Sequence, residues 1–379
     1  MLSKLLIASK FQAVLFCLIF CCGLVIAEPF QIIICETPMG SGGGQGIRRY
    51  LVYDTFGAVI QLTPIPGNLV NDPAGIALRK DTELFVGNRA AHTGNSSISR
   101  FTLNGSFYQA AGTIIGNDVT DCHQLAFDYV NGELFQTNWT TGKLSRFLFD
   151  ENGDAIANGY VLMPDNDKML GVAVRPSNRQ LFVSDYNYVR RFSRNPDGSY
   201  TSIGSFNIQP GELYHYMKFH NDELYLAAFQ TNRVLRFSFD ASGYPVLKEV
   251  IPAEGALDMD FSPDGQEMFV TNHRSGSITR YRYNPATDIW TAFGDPILTP
   301  SLGGIVITPT ICPLQADLTG DCVVNLLDLY EFIGQWLDSV DPYYCTLSAN
   351  MAGPDSECKV NIEDFSVFAS QWMAEFEHE

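Results

Sequence analysis

The chain is poor in basic residues: 24 Lys and Arg stand against 42 Asp and Glu among 379 residues, a formal net charge of −18. An acidic surface repels phosphate groups, so nucleic acid is not an expected partner. After residue 27 there is no apolar run long enough to cross a bilayer. His-x-x-x-His and Gly-x-Ser-x-Gly motifs are also lacking, which removes two common sequence signs of a metalloenzyme or a serine hydrolase.

The first 27 residues have the features of an export signal. Lys4 and Lys10 precede an apolar run, and Val25 and Ala27 suit a cleavage site. We therefore predict a signal peptide over residues 1–27 and a secreted protein with no membrane segment after cleavage. An uncleaved anchor is the alternative, because residues 11–27 are only slightly shorter than a bilayer span.

An arginine followed by an aromatic residue recurs at six regularly placed positions, with spacings of 51, 46, 45, 45 and 44 residues. The pairs are Arg49-Tyr50, Arg100-Phe101, Arg146-Phe147, Arg191-Phe192, Arg236-Phe237 and Arg280-Tyr281. A period of this length is typical of one supersecondary unit copied along the chain. Each copy holds four short strand-like segments, which predicts a mainly β fold: a six-bladed β-propeller over residues 28–310.

The two ends of the repeat indicate how the ring closes. The first copy lacks its opening strand, whereas residues 304–308 stand alone after the last copy. We therefore predict that residues 304–308 supply the innermost strand of the blade built by residues 31–66. The Gly-Ile-Ala opening at residues 75–77 and the segment Ser262–Asn272 resemble NHL-type and lactonase-like propellers. That resemblance implies the fold, since propellers host many functions.

The ends of the second strands are expected to lie on one face, near the central channel. The residues placed there are Glu36, Asn88, Asn138, Asp185 and Asn272, with His123, His215 and His273 nearby. Lactonase-like propellers hold Ca²⁺ or Zn²⁺ with a comparable ring, so the resemblance implies a candidate metal site here. The alternative is that these side chains cap the loop after each strand, which Asn and Asp do in any repeat.

The innermost strands differ from one another at their central position. Four blades carry a small apolar residue there, namely Ala77, Ala126, Ala173 and Val306, but two consecutive blades carry Lys218 and Asp260. Because a lysine in an interior needs a partner, we predict a Lys218–Asp260 ion pair. Its role is either the register between blades or catalysis. The six arginines are expected to stack on rings of other residues, and a carbohydrate or polyanion groove is the alternative.

The composition changes after Thr310: residues 312–379 hold thirteen acids against one base, Lys359. A second duplication is present, because residues 324–337 match residues 360–373. In the first copy oxygen-bearing residues follow the 1, 3, 5, 9, 12 spacing of an EF-hand Ca²⁺ loop, with a carbonyl at position 7. These residues are Asp317, Thr319, Asp321, Asn325 and Asp328, with Val323 supplying the carbonyl.

The duplicated segment resembles a dockerin type I domain, a small all-α module with two calcium loops, over residues 311–379. The resemblance implies Ca²⁺ and a cohesin-like or other extracellular protein partner. In the second copy Ala352 removes one ligand, so we expect one Ca²⁺ at the first loop and a second only if Asp355 substitutes. The candidate ligands of that second site are Asn350, Asp355, Glu357, Asn361 and Asp364.

Four cysteines follow the same duplication. Pairing within each copy would join Cys312 to Cys322 and Cys345 to Cys358. It is one of three connectivities that four cysteines allow. An exported protein meets an oxidising compartment, in which such disulfides form.

Two functions are compatible with these patterns. The sequence favours a secreted, non-enzymatic propeller that binds a partner, a carbohydrate or a small molecule. The calcium module would dock that propeller into an extracellular assembly. The alternative is a secreted metal-dependent lactonase or glycan-active hydrolase linked to polysaccharide catabolism, with the acids of the propeller face binding the metal.

Overall fold

The repeated strand pattern is realised as antiparallel strands in a computed structural model that describes residues 30–309 with short gaps. The gaps are 37–45, 54–57, 66–68, 81, 90–95, 105–106, 117–118, 164–167, 186–187, 208–211 and 300–301. Beyond residue 309 seven residues are described, all of them helical: Leu329, Phe332, Ile333, Phe365, Ser366, Phe368 and Ala369. The predicted signal peptide, calcium loops and module cysteines lie outside these residues. No helix among the described residues is long and apolar enough to span a membrane.

The described part of the propeller has 25 strands. They are β1 Phe30–Glu36, β2 Gly46–Tyr53, β3 Ala58–Ile65, β4 Pro73–Arg79, β5 Glu83–Asn88, β6 Ser97–Asn104, β7 Phe107–Ile114, β8 Cys122–Asp128, β9 Glu133–Asn138, β10 Lys143–Phe149, β11 Ala155–Leu162, β12 Val172–Val174, β13 Leu181–Ser184, β14 Val189–Arg194, β15 Tyr200–Phe206, β16 Tyr214–His220, β17 Glu223–Ala228, β18 Arg233–Phe239, β19 Pro245–Pro252, β20 Ala256–Phe261, β21 Glu267–Asn272, β22 Ser277–Asn284, β23 Ile289–Ala292, β24 Ile297–Leu298 and β25 Ile305–Pro309.

These strands form six antiparallel sheets, which are the six predicted blades. From the centre outward the first blade is β25-β1-β2-β3, and the next four are β4 to β7, β8 to β11, β12 to β15 and β16 to β19. The sixth blade is β20 to β23, with the short β24 paired to β22. The innermost strands contact one another in the ring order β25, β4, β8, β12, β16, β20 and back to β25. The six-bladed propeller prediction is therefore confirmed.

The first blade is built from both ends of the propeller, as predicted. Strand β25 pairs antiparallel with β1, and the register joins Ile305 to Ile34 and Pro309 to Phe30. The strand begins one residue later than the predicted segment 304–308. An unpaired inner edge would expose backbone donors and acceptors, and this pairing removes it.

Each blade packs against both neighbouring blades through two consecutive side chains of its second strand. Successive side chains of a strand point to opposite faces of the sheet. In the second blade Leu84 packs with Ile47 and Val306 of the first blade, whereas Phe85 packs with Phe147 of the third. Fully burying one such side chain contributes about 1.5–3 kcal/mol, so repeated Leu-Phe-type pairs stabilise the whole ring.

The arginine of each repeated pair also links neighbouring blades. Arg146 donates to the Gly198 carbonyl at 2.8 Å, and Arg191 donates to the Gly243 carbonyl at 2.7 Å. In both cases the acceptor lies in the turn between the third and fourth strands of the next blade. Tyr200 and Tyr244 of those next blades lie 5.0 and 5.8 Å from the respective guanidinium carbons. These contacts give the arginines the architectural role that the sequence favoured.

A feature of the repeat that sequence reasoning missed is the residue that begins the second strand. Arg146 pairs with Glu133 at 2.7 Å, and Arg280 pairs with Glu267 at 2.9 Å. Glu83 and Glu223 hold the arginines of their own blades in the same way. In these four blades a buried or nearly buried carboxylate therefore neutralises the arginine charge, whereas the first and fourth blades have Gln31 and Gln180 at this position.

The predicted Lys218–Asp260 ion pair is present, with Nζ and Oδ2 2.6 Å apart. Both partners also hold the closing strand. Asp260 accepts the Ile307 backbone N–H at 2.8 Å, and Lys218 donates to the Ile305 carbonyl at 3.3 Å. A third side chain, Asp258, accepts the Ile305 N–H at 3.0 Å. The pair therefore fixes the register of β25 against the sixth blade.

We predict that acid strengthens the closed ring through Asp258. The pKa of this carboxyl is raised to about 7, because the effect of burial exceeds the lowering by the nearby Lys218 ammonium. Because the folded-state pKa is higher than the unfolded one, the stabilisation is complete below about pH 4 and is lost as pH rises through 7. The free energy of unfolding should fall over this range by up to about 4 kcal/mol relative to Asp258→Asn, measured by urea titration.

The control for this experiment is Glu151→Gln, which changes an exposed carboxyl in a turn. It should keep the wild-type pH dependence. A wild-type protein that follows the same pH dependence as Asp258→Asn would contradict the prediction.

Candidate site at the channel mouth

The structure places the predicted face residues at the ends of the second strands, where their side chains contact their own blades. Asn138 illustrates the arrangement, because its Nδ2 donates to Ser145 Oγ at 2.8 Å. Asn88 makes the equivalent bond to Ser99, and Asn272 makes it to Thr279. In each case the partner is the residue just before the repeated arginine.

Two blades replace this hydrogen bond by an ion pair. Glu36 pairs with Arg48 in the first blade, and Asp185 pairs with Arg190 at 3.0 Å in the fourth. Both arginines again stand directly before the repeated arginine. The strand-end residue and its partner thus change together from blade to blade, as two halves of one structural contact.

The fifth blade lacks this contact, because the positions hold Ala228 and Leu235. Glu212 is buried nearby and accepts the Gln230 backbone N–H at 3.0 Å, with Arg233 4.0 Å away. Glu212 supplies from a loop a carboxylate that the strand end does not provide. Sequence reasoning missed it because it lies outside the repeated strands.

The face residues do not fit a metal site. Asn88 Oδ1 accepts the Asn71 N–H, and Asn138 Oδ1 accepts the Thr120 N–H, both at 2.9 Å. Asp185 is held by the Tyr188 N–H and by Arg190. Within the described ranges no three His, Cys, Asp or Glu side chains are arranged to hold a metal ion. These contacts support the capping alternative.

A different set of side chains lies at the channel mouth, one residue beyond the second strands or at the start of the first strands. We call it the rim cluster: Arg89, His123, Trp139, His215, Phe229 and His273. His123 stacks on Trp139 with ring centroids 5.0 Å apart, and His215 lies 4.9 Å from Phe229. Of these residues, only His123 and His215 are in the predicted site, with His273 noted nearby.

Both predicted histidines are held neutral. Burial, together with the neighbouring His273 and Arg89, lowers the pKa of His215 to about 3. Burial also lowers the pKa of His123 well below its ordinary value, with Arg89 and His215 adding to the effect. At neutral pH each imidazole therefore keeps one nitrogen as a hydrogen-bond acceptor.

Arg89 supplies a positive charge beside these imidazoles. Burial is the largest single effect and disfavours that charge, but the 2.8 Å hydrogen bond to Asp72 and the nearby Tyr216 and Asp121 together outweigh it, so the pKa of Arg89 is raised. Arg89 Nε and His215 Nδ1 are both buried without a hydrogen-bond partner among the described residues. Buried polar atoms are nearly always paired in native proteins, so these two atoms mark a place for water or for a ligand.

Further cations surround the mouth. The Lys168 ammonium lies 5.0 Å from the centre of the Trp139 ring, and the Arg274 guanidinium lies 4.7 Å from the Phe229 ring. Cations over aromatic faces are attracted by the ring quadrupole. In an acidic chain, this face thus combines positive charge with aromatic surface.

Similarity to known proteins is visible only at the level of structure: neither a family model nor a curated protein matches the chain. A Lactobacillus plantarum protein superposes with a TM-score of 0.57 at 13% identity, covering 74% of this chain and 99% of that one. A putative 6-phosphogluconolactonase from Bacteroides uniformis gives 0.54 at 18%, covering 75% and 84%. The Pseudomonas aeruginosa periplasmic gluconolactonase gives 0.56 at 14%, covering 75% and 86%. The chain is therefore a propeller similar in fold to lactonase-like structures.

We predict that Asn138→Ala destabilises the fold by roughly 1–3 kcal/mol, because it removes the acceptor of the Thr120 N–H and the donor to the Ser145 hydroxyl. Urea unfolding measures the effect, and Asn152→Ala, in an exposed turn, is the matched control with little expected change. A variant of unchanged stability that loses a bound metal would instead identify Asn138 as a ligand.

Proposed function

We propose that the propeller is a lactonase-like hydrolase and that the rim cluster is its active site. The observation that supports the proposal is the pair of unpartnered buried atoms, Arg89 Nε and His215 Nδ1, beside neutral imidazoles. A donor with a fixed positive charge and a neutral acceptor are the two groups that ester hydrolysis needs. This function was the alternative in the sequence analysis, and the similar structures favour it over a purely scaffolding role.

The proposed reaction divides two roles between these residues. His215 accepts the proton of a water molecule as the water oxygen bonds to the lactone carbonyl carbon. Arg89 donates to the carbonyl oxygen, on which negative charge develops. The ring C–O bond then breaks, and the released alkoxide oxygen receives the proton from His215. Lactone and water thereby give one hydroxy acid.

Three further points support this assignment. Two of the similar structures bear the names putative 6-phosphogluconolactonase and periplasmic gluconolactonase. The predicted signal peptide is consistent with an exported enzyme of this kind. The surrounding cations, among them Lys168 and Arg274, would attract a substrate that yields a carboxylate product.

We predict that the full chain hydrolyses glucono-δ-lactone or its 6-phosphate faster than the spontaneous reaction. Arg89→Ala and His215→Gln should each lower kcat/KM about 100-fold or more, because each removes a group acting on the reacting atoms. The measurement is proton release in a pH-stat, corrected for the uncatalysed rate.

The matched control for His215→Gln is His220→Gln, at the opposite end of the same strand. It should hydrolyse at the wild-type rate. Two results would refute the proposal: wild-type protein without activity on either lactone, or undiminished activity in both rim variants.

We also propose that residues 311–379 form a calcium-binding docking module. Its support is the duplication together with one contact among the described residues. Phe332 and Phe368 occupy equivalent positions of the two copies, both are 1% exposed, and their ring centroids lie 5.1 Å apart. Helices of the two copies that pack through equivalent side chains would bring two loops together as one unit. The proposed partner is a cohesin-like or other extracellular protein.

Calcium should raise the unfolding temperature of this segment. Binding to the folded state alone adds about 2.7 kcal/mol at a Ca²⁺ concentration 100 times the Kd. Calorimetry of the full chain in Ca²⁺ and in EDTA measures the shift. Asp317→Ala should abolish most of it, whereas Asp341→Ala, outside both loops, should not. A thermogram insensitive to Ca²⁺ would rule the module out.

A further inference from the structure

A cavity of about 340 Å³ lies among the innermost strands, on the axis of the ring. Its wall includes the four small central residues Ala77, Ala126, Ala173 and Val306, together with Lys218 and Asp260. Tyr129, Pro176 and Arg179 line it at the ends of the first strands, on the face opposite the rim cluster. We call this cavity the axial well.

The axial well is closed toward the rim cluster by Gln124. The side-chain oxygen of Gln124 accepts the Val172 N–H at 2.7 Å and the Met217 N–H at 3.2 Å. Its amide nitrogen donates to the Met217 carbonyl at 3.0 Å. One side chain of β8 thus bonds to β12 and to β16 across the channel. The well is therefore a separate site from the proposed active site.

The charges in the wall are already balanced. Asp260 accepts Lys218 and the Ile307 N–H on Oδ2, and it accepts the Phe261 N–H on Oδ1. Arg179 is paired with Asp128 at the opening. A charged guest would bring an unpaired charge into a partly enclosed site, which is costly. An uncharged guest avoids this cost.

One donor is still available inside. An ammonium group has three N–H bonds, and Lys218 directs two toward Asp260 and the Ile305 carbonyl. The alanine and valine methyl groups present no hydrogen-bond donor or acceptor to the rest of the cavity. Water beside this part of the wall would find few hydrogen-bond partners, so its replacement there by an apolar body is favourable. The volume lies at the lower end of the ~300–1,000 Å³ typical of ligand pockets.

We propose that the axial well binds a small uncharged molecule with a ring-sized apolar body and one hydrogen-bond acceptor. The body packs on the alanine and valine wall, and the acceptor takes the third N–H of Lys218. The proposal is independent of lactone hydrolysis, because Gln124 separates the two sites.

Three nearly isosteric probes test this chemistry on the full chain by saturation-transfer NMR and calorimetry. Acetophenone has the aromatic body and the acceptor, α-methylstyrene lacks the acceptor, and benzoate carries a charge. Acetophenone should bind at least tenfold more tightly than either of the other two. No acetophenone binding, or equal binding of benzoate, would overturn the proposal.

Two variants locate the binding. Ala126→Leu and Ala77→Leu fill the well from neighbouring strands, and each should weaken acetophenone at least tenfold. Ala157→Leu, on the exposed outer strand β11, is the matched control and should bind normally. Using two filling variants allows for one that fails to fold, which circular dichroism detects. His215→Gln should bind acetophenone as the wild type does. If it alone abolishes binding, the probe occupies the rim cluster and the axial well is not the site.

Discussion

The closure of the ring by β25 is the contact on which the other features of the propeller depend. Every inner strand is supported by two neighbours, and this holds for the first and sixth blades only because Ile305–Pro309 pairs with Phe30–Glu36. The sequence departs from its repeat at this seam, where Asp260 and Lys218 replace small apolar residues and, with Asp258, bind the backbone of the closing strand. Backbone hydrogen bonding alone would leave the register of a five-residue strand weakly specified, and these side chains specify it.

The repeated arginines stabilise a different part of the structure, namely the contacts between neighbouring blades farther from the axis. Four of them are neutralised by a glutamate of their own blade, and both Arg146 and Arg191 bond to a turn of the next blade. A buried charge is tolerated only with such partners. The same device recurs because each junction has the same shape. Its role in the structure is to join one blade to the next.

Much of this architecture could be predicted from the sequence, because repetition makes a weak pattern visible. The blade count, the split first blade and the Lys218–Asp260 pair all follow from comparing one copy with another. The rim cluster did not follow, because Arg89, Trp139 and Phe229 stand where the copies differ and no period marks them. Glu36 and Asp185 were grouped with the asparagines on residue type. Only the partners Arg48 and Arg190, which change with them, identify the positions as structural contacts.

The split blade also sets the order in which this protein can be completed. The chain emerges from the ribosome from its N-terminal end, and β1 is the first strand of the propeller to appear. Its inner partner, β25, is the last. The first blade therefore waits with an open edge until five other blades have been made, and contacts so distant in sequence form slowly. Any activity at the channel mouth therefore requires the final strand. A propeller truncated before β25 would have an open sheet edge and an incomplete site.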